Sequence, residues 1–151
     1  MAAQLLPDPL TAALDALMLA LPDGMEVVVR RRTDTRAMLG EDVVHTAARR
    51  IVTLAGVPEH LTGHRCLTEA LCVLHREYPV WPPAGAFYQE IAERTCVAAP
   101  ERDMRHAISV ARRRDPQRWR SCCPGDERAV RPALARLMGL LHDDLSQGGG
   151  R

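Results

Sequence analysis

The sequence predicts an all-α protein, with about six helices built around a helix-turn-helix and an extra N-terminal helix with a possible short strand. Apolar residues recur at helical spacing in successive segments, and proline and glycine separate these segments. Only 3% of the residues are aromatic, so the core must be built from aliphatic side chains and methionine. We expect an N-terminal arm over residues 1–40, the helix-turn-helix domain over 41–145, and a flexible Gly-rich tail over 146–151.

The composition is that of a globular protein with an uneven charge distribution. Of the 151 residues, 46% are apolar and 26% are charged, and the formal net charge is +1. Between Arg94 and Arg120, eight arginines stand against three acidic residues, a local balance of +5. A cationic segment of this kind is the electrostatic pattern expected of nucleic-acid binding.

The arm begins with a predicted helix. Asp8 suits the capping position and Pro9 the first helical position, and Pro22-Asp23-Gly24 should end the helix. Its apolar stripe contains Leu10, Leu14, Leu17, Met18 and Leu21. Residues Met25–Val29 are a candidate short strand, although no partner strand is evident. The stripe either packs on the main body as an extra helix or forms a surface for self-association or partner binding.

Three further helices are predicted over residues 41–55, 63–78 and 87–94, each with an apolar stripe at helical spacing. Gly56 suits the left-handed position that follows the first of these helices, and Pro58 prevents its continuation. After the next helix, Pro79, Pro82 and Pro83 predict a loop. These breaks separate the predicted helices that precede the segment beginning at Pro100.

That segment is a predicted helix over Pro100–Arg114 with two opposed faces. The apolar face contains Met104, Ala107, Ile108 and Ala111. The polar and cationic face contains Arg102, Arg105, His106, Ser109 and Arg113. Pro100 suits the first helical position, and acidic residues in the first turn and arginines in the last complement the helix dipole. With the short helix and turn before it, this segment forms a helix-turn-helix pattern.

Two helices are predicted to complete the domain. Asp115-Pro116 begins a short helix that reaches Trp119, and Pro124-Gly125 breaks the chain. Pro132 then opens a last helix whose apolar stripe ends at Leu145.

Two groups of residues resemble a known bacterial family. The first is Gly56-Val57-Pro58 with His60 and Gly63, continued by Leu67, Glu69 and Ala70. The second is Tyr88, Ile91 and Ala92, followed by Glu101-Arg102 and Arg105-His106-Ala107-Ile108. In this order and separation they resemble the C-terminal DNA-binding (effector) domain of stage 0 sporulation protein A, the master sporulation response regulator. The similarity runs from about Val44 to Arg114 and, by helix placement, to Leu145.

The resemblance implies a transcriptional regulator that binds duplex DNA sequence-specifically, with the helix at Pro100–Arg114 in the major groove and usually with two domains side by side. Two departures matter. The family usually has a basic residue and then a branched apolar residue before the glutamate, where this chain has Ala99 and Pro100. A receiver domain needs about 120 residues, and only about 40 precede the match, so we expect no receiver domain.

The candidate DNA-binding residues are Glu101, Arg102, Arg105, His106, Ser109, Arg112 and Arg113. An arginine fork matches guanine O6 and N7, and a glutamate can accept a hydrogen bond from cytosine N4, so Arg102, Arg105 and Glu101 are candidates for base contacts. His106 can donate to a base edge or to a phosphate. The arginines after residue 111 lie where the DNA backbone would pass and are assigned to phosphates. The alternative is a solvent-exposed helix face, in a protein-interaction module that has lost useful DNA affinity.

Other chemistry has less support in the sequence. His60, His64 and Cys66 are close together, but no second paired ligand motif accompanies them, so we expect neither a metal nor a cofactor. No orienting group or oxyanion loop can be named for a catalytic pair of Cys96 and His106, so no enzyme is expected. The irregular spacing of the five cysteines fits a reducing cytoplasm. We expect duplex DNA as partner, a possible homodimer, and neither a membrane nor a small-molecule substrate.

Overall fold

The computed structural model describes residues 15–17, 19–24 and 40–148. Every regular element in this part of the chain is an α-helix, which confirms the all-α fold class. No helix in the same residues is both long and apolar enough to cross a bilayer. The chain divides into two compact units, Met1–Thr35 and Arg36–Arg151.

In the first unit, residues 15–17 and 19–20 are helical and a turn follows at Asp23-Gly24. Gly24 has a φ of +89°, a conformation that glycine adopts without strain, so the predicted end of the arm helix is confirmed. The predicted cap at Asp8 and the possible strand at Met25–Val29 lie outside the described residues. The role of the arm as an association surface therefore stays a prediction.

The second unit contains six helices, which we number in chain order. They are α1 (Glu41–Leu54), α2 (Thr62–Glu77), α3 (Ala84–Thr95), α4 (Pro100–Arg114), α5 (Pro116–Cys122) and α6 (Val130–Gly148). The prediction of a tail from residue 146 is wrong for residues 146–148, because α6 continues through them. Ser146 lies in its last turns and donates its hydroxyl proton to the carbonyl oxygen of His142 at 2.8 Å. At the other end, α6 begins two residues before Pro132.

Helix α2 is the centre of the second unit, since it packs against α1, α3, α4 and α6. Its buried residues occupy almost all sides of the helix, and they include Leu67, Ala70, Leu71, Val73 and Leu74. Trp119 of α5 is the largest fully buried side chain, so even the shortest helix contributes to the core. Because other helices surround α2, most of its apolar side chains are buried. In this way a chain with few aromatic residues buries enough apolar surface to form a core.

The loop between α1 and α2 depends on two glycines. Gly56 has a φ of +94°, as predicted for the left-handed position after α1. Gly63 lies in the first turn of α2, where a Cβ atom would overlap the carbonyl oxygen of Asp103 in α4. Helices α2 and α4 therefore cross with their backbones in contact, and no side chain larger than hydrogen fits at residue 63.

Arg118 of α5 satisfies the C-terminal end of α1. Its Nε donates to the carbonyl oxygen of Leu54 at 2.9 Å, and its Nη2 donates to that of Thr53 at 2.8 Å. The aliphatic stem lies over Gly56, within 3.4 Å of where a Cβ atom would stand. Carbonyls at a helix end have no partner within the helix, so this side chain joins α5 to α1.

Replacing Arg118 by alanine should lower the free energy of unfolding by about 1–2 kcal/mol, because two charge-assisted hydrogen bonds are lost at a partly solvated site. Urea unfolding of Arg118→Ala measures this loss. Arg120→Ala is the matched control, since Arg120 is an exposed arginine of the same helix. Equal losses in the two variants would mean that the contacts with α1 contribute nothing.

Candidate nucleic-acid interface

Helices α3 and α4 form the helix-turn-helix, joined by residues 96–99. Helix α3 ends at Thr95, and the capping residue Cys96 has the left-handed conformation (φ 56°, ψ 37°). The amide groups of Cys96 and Val97 both donate to the carbonyl oxygen of Ala92, which closes the last turn of the helix. The left-handed residue ends the helix, so α4 follows α3 after a turn of only four residues.

The apolar face of α4 is buried as predicted. Met104, Ala107, Ile108 and Ala111 are each at most 1% exposed. Pro100 occupies the first helical position and is also buried, which confirms its predicted place. Together with the backbone contact at Gly63, this burial holds α4 firmly against α2. The opposite face of α4 must therefore point away from the core.

That opposite face is the outer face of α4, which we define by Glu101, Arg102, Arg105, His106, Ser109 and Arg113. The side chains of Arg102 and Arg105 are 79% and 61% exposed, and Glu101 and His106 are exposed as well. Ser109 is only partly exposed, and its carbonyl oxygen accepts a hydrogen bond from Nε of Arg113 at 3.4 Å. The structure thus brings six of the seven predicted residues onto one accessible surface.

Two of these residues pair with each other. Nη2 of Arg105 lies 2.8 Å from Oε1 of Glu101, one helical turn earlier. An exposed pair at this spacing adds only about 0.3–0.5 kcal/mol to stability, so it does not prevent Arg105 from changing partner. While no DNA is bound, this pair limits the motion of the Arg105 guanidinium. The negative charge of Glu101 also lowers the net charge at the start of the outer face.

The seventh predicted residue, Arg112, is paired within the domain, and its predicted DNA contact stays a prediction. Its Nε and Nη2 donate to the two carboxylate oxygens of Asp126, at 3.0 and 2.8 Å, and its side chain is only 20% exposed. The Arg112 guanidinium holds the pKa of the Asp126 carboxyl below its usual range. A bidentate pair of this kind joins α4 to the loop before α6. Arg113 and Arg114, which follow Arg112, are exposed.

The residues considered for metal binding are kept apart. His60 is exposed in the loop before α2, whereas His64 is buried with its Nε2 2.9 Å from the hydroxyl of Thr53. Burial lowers the pKa of His64, which favours the neutral imidazole in this hydrogen bond. Cys66 is buried among core residues. Within the residues that the structure describes, no three histidine, cysteine or acidic side chains come together in a cluster that could hold a metal ion.

The two adjacent cysteines at the C-terminal end of α5 are part of the hydrophobic core. Cys122 and Cys123 are both buried in the core. Burial raises the pKa of the Cys123 thiol to about 12, so it is protonated at neutral pH. These two residues therefore act as small apolar side chains.

One exposed arginine, Arg131, did not stand out in the sequence. Arg131 lies in the first turn of α6, and its Cζ is 4.9 Å from the centre of the Trp81 indole. Fifty residues separate the two, and a single sequence gives no signal for an arginine–aromatic contact at that distance. The close crossing at Gly63 was also not predicted, although the glycine itself belongs to the motif that carries the resemblance.

Comparison of the chain with protein-family models, with curated proteins and with solved structures gives no match.

Proposed function

We propose that this chain binds duplex DNA, with α4 in the major groove, and that it regulates transcription. The observation that carries the proposal is the outer face of α4, where Arg102, Arg105 and His106 are exposed on a helix whose other face is fixed in the core. A helix presented in this way after a short first helix has the arrangement that helix-turn-helix proteins use on DNA. The resemblance to a sporulation effector domain supports the same function.

The proposed roles differ along the helix. Arg102 and Arg105 lie near its middle and read base edges, for which an arginine fork is suited by its fixed geometry. Glu101 holds Arg105 in place before binding and accepts from cytosine N4 when the arginine turns to a guanine. Arg113 and Arg114 contact phosphates. Two copies bind side by side on adjacent half-sites, as the resemblance implies.

The departures from the family pattern affect the target sequence more than the binding itself. Pro100 is buried, so the first turn of α4 has no long side chain at that position to reach a base. Base reading then begins one residue later, with Glu101 and Arg102. Selection of bound DNA from a random duplex pool would give the preferred site, and we expect it to differ from the site of the sporulation regulators.

Affinity for duplex DNA should fall roughly a hundredfold between about 50 and 200 mM salt if about four phosphates are neutralised. Fluorescence anisotropy of a labelled duplex over this salt range measures the slope. Arg114→Gln should lower the slope, because Arg114 is assigned to a phosphate, whereas the charge-matched Arg49→Gln on α1 should not. A flat salt response of the unaltered protein, or no binding to any duplex at low salt, would favour a protein-interaction module instead.

A further inference from the structure

Arg131 carries a positive charge that is held in place but not neutralised. Its guanidinium lies over the Trp81 ring, at a distance typical of cation–π contacts. In the part of the chain that the structure describes, no carboxylate forms a salt bridge with Arg131, whereas Arg94, Arg112 and Arg136 each have an acidic partner within 3.0 Å. The contact with Trp81 restrains the side chain and leaves its hydrogen-bond donors available.

The aromatic support of Arg131 is itself fixed. The ring of Trp81 is 6.3 Å from that of Phe87, and Phe87 is 5.3 Å from Tyr88 on the same helix. Phe87 is buried, so it anchors the other two rings to the core. Arg131, Trp81 and Tyr88 line one shallow cleft at the start of α3. The position of the guanidinium is therefore set by α3 and by the loop before it, as well as by α6.

Tyr88 links this cleft to the outer face of α4. Its pKa is raised, first by burial and then by the charge of Glu101, while Arg105 and Arg131 both act to lower it. The charges of α4 and the charge of Arg131 both act on Tyr88, and α3, which carries Tyr88, packs directly against α4.

We infer that Arg131, held against Trp81 beside α3, is a phosphate-binding residue outside the helix-turn-helix that contacts the backbone of the duplex in which α4 lies. The inference rests on the proposed function. In helix-turn-helix complexes the first helix crosses the DNA backbone, and here α3 is that helix. An arginine fork beside its first turn matches the geometry of a phosphate. Because the fork is already restrained, less side-chain entropy is lost on binding than for a free arginine.

The test compares Arg131→Gln with Arg131→Lys and with Arg49→Gln, an equal change of charge on α1. Each protein is titrated by fluorescence anisotropy against the preferred duplex and a scrambled duplex over a range of salt concentrations. Arg131→Gln should weaken binding to both duplexes by about three- to tenfold near 0.1 M salt and lower the salt slope by about one. Arg131→Lys should keep the slope, because it keeps the charge, and Arg49→Gln should keep both the slope and the affinity.

The outcomes separate this inference from the proposed function. If the unaltered protein binds no duplex, the proposed function fails and the inference fails with it. If the unaltered protein binds, but Arg131→Gln behaves like Arg49→Gln, only the inference is overturned, and a protein partner becomes the candidate for this surface. If Arg131→Gln changes the preferred base at one position without lowering the slope, Arg131 reads a base, and the assignment to a phosphate is wrong.

Discussion

Gly63→Ala is expected to lower the free energy of unfolding by about 2–4 kcal/mol, a large effect for one added methyl group. The new Cβ would overlap the carbonyl oxygen of Asp103, which belongs to the backbone of α4. No change of side-chain rotamer can relieve an overlap with backbone, so α2 and α4 must move apart. Because α2 is the central helix, that movement loosens the packing of the whole second unit. Urea unfolding followed by circular dichroism measures the loss.

The matched control is Gly139→Ala. Gly139 lies inside α6 with nothing within 4 Å of where a Cβ atom would stand. Alanine is the better helix former, so this substitution should raise the free energy of unfolding by up to about 1 kcal/mol. The two variants make the same chemical change in two helices and should shift stability in opposite directions. Shifts of the same sign and size would contradict the backbone contact between α2 and α4.

Arg105→Ala should weaken binding to the preferred DNA site by about 1–3 kcal/mol and relax the preference at one base pair. Arg105 projects from the middle of the outer face, where a recognition helix reaches base edges. An arginine that reads a base discriminates between sequences, so the loss on a scrambled duplex should be much smaller. Since Arg105 is exposed, the melting temperature should hardly change.

The effect of Arg105→Ala is interpreted by comparison with a second variant, Arg113→Ala. Arg113 lies two turns further along α4, at the position where a recognition helix usually leaves the groove. Its loss should weaken specific and non-specific binding alike and lower the salt slope by about one. Both variants are titrated against the preferred and the scrambled duplex. If Arg105→Ala loses equally on both, the base-reading residues have been assigned to the wrong part of the outer face.

The sequence predicted the features that depend on local pattern. The stripe of Met104, Ala107, Ile108 and Ala111 identified the buried face of α4, because helical periodicity alone decides which side chains share a face. Pro100 and Gly56 were assigned correctly, since each restricts its own backbone conformation. The bounds of the helices were less certain, and α3 begins at Ala84, three residues before its predicted start. Nothing in residues 84–86 marks that start by charge or by apolar pattern.

The features that the sequence did not predict depend on residues far apart in the chain. Arg112 appeared to continue a run of solvent-exposed arginines, yet it pairs with Asp126, fourteen residues later in a loop. Asp126 has a φ of +53°, a left-handed backbone conformation that no sequence pattern predicted. Arg118 likewise appeared to be one more cationic residue, and its partners are carbonyl groups at the end of α1. Side-chain partners of this kind become visible only when the helices are assembled.

The backbone contact at Gly63 has a consequence for how specificity can change. A helix held at van der Waals distance by its neighbour's main chain keeps one orientation, so the proposed DNA complex requires little rearrangement and little loss of conformational entropy. The residues that face outward on α4 can then be exchanged without altering how the helix is presented. Under the proposed function, the preferred DNA sequence is therefore free to diverge among descendants of this protein while the scaffold stays the same.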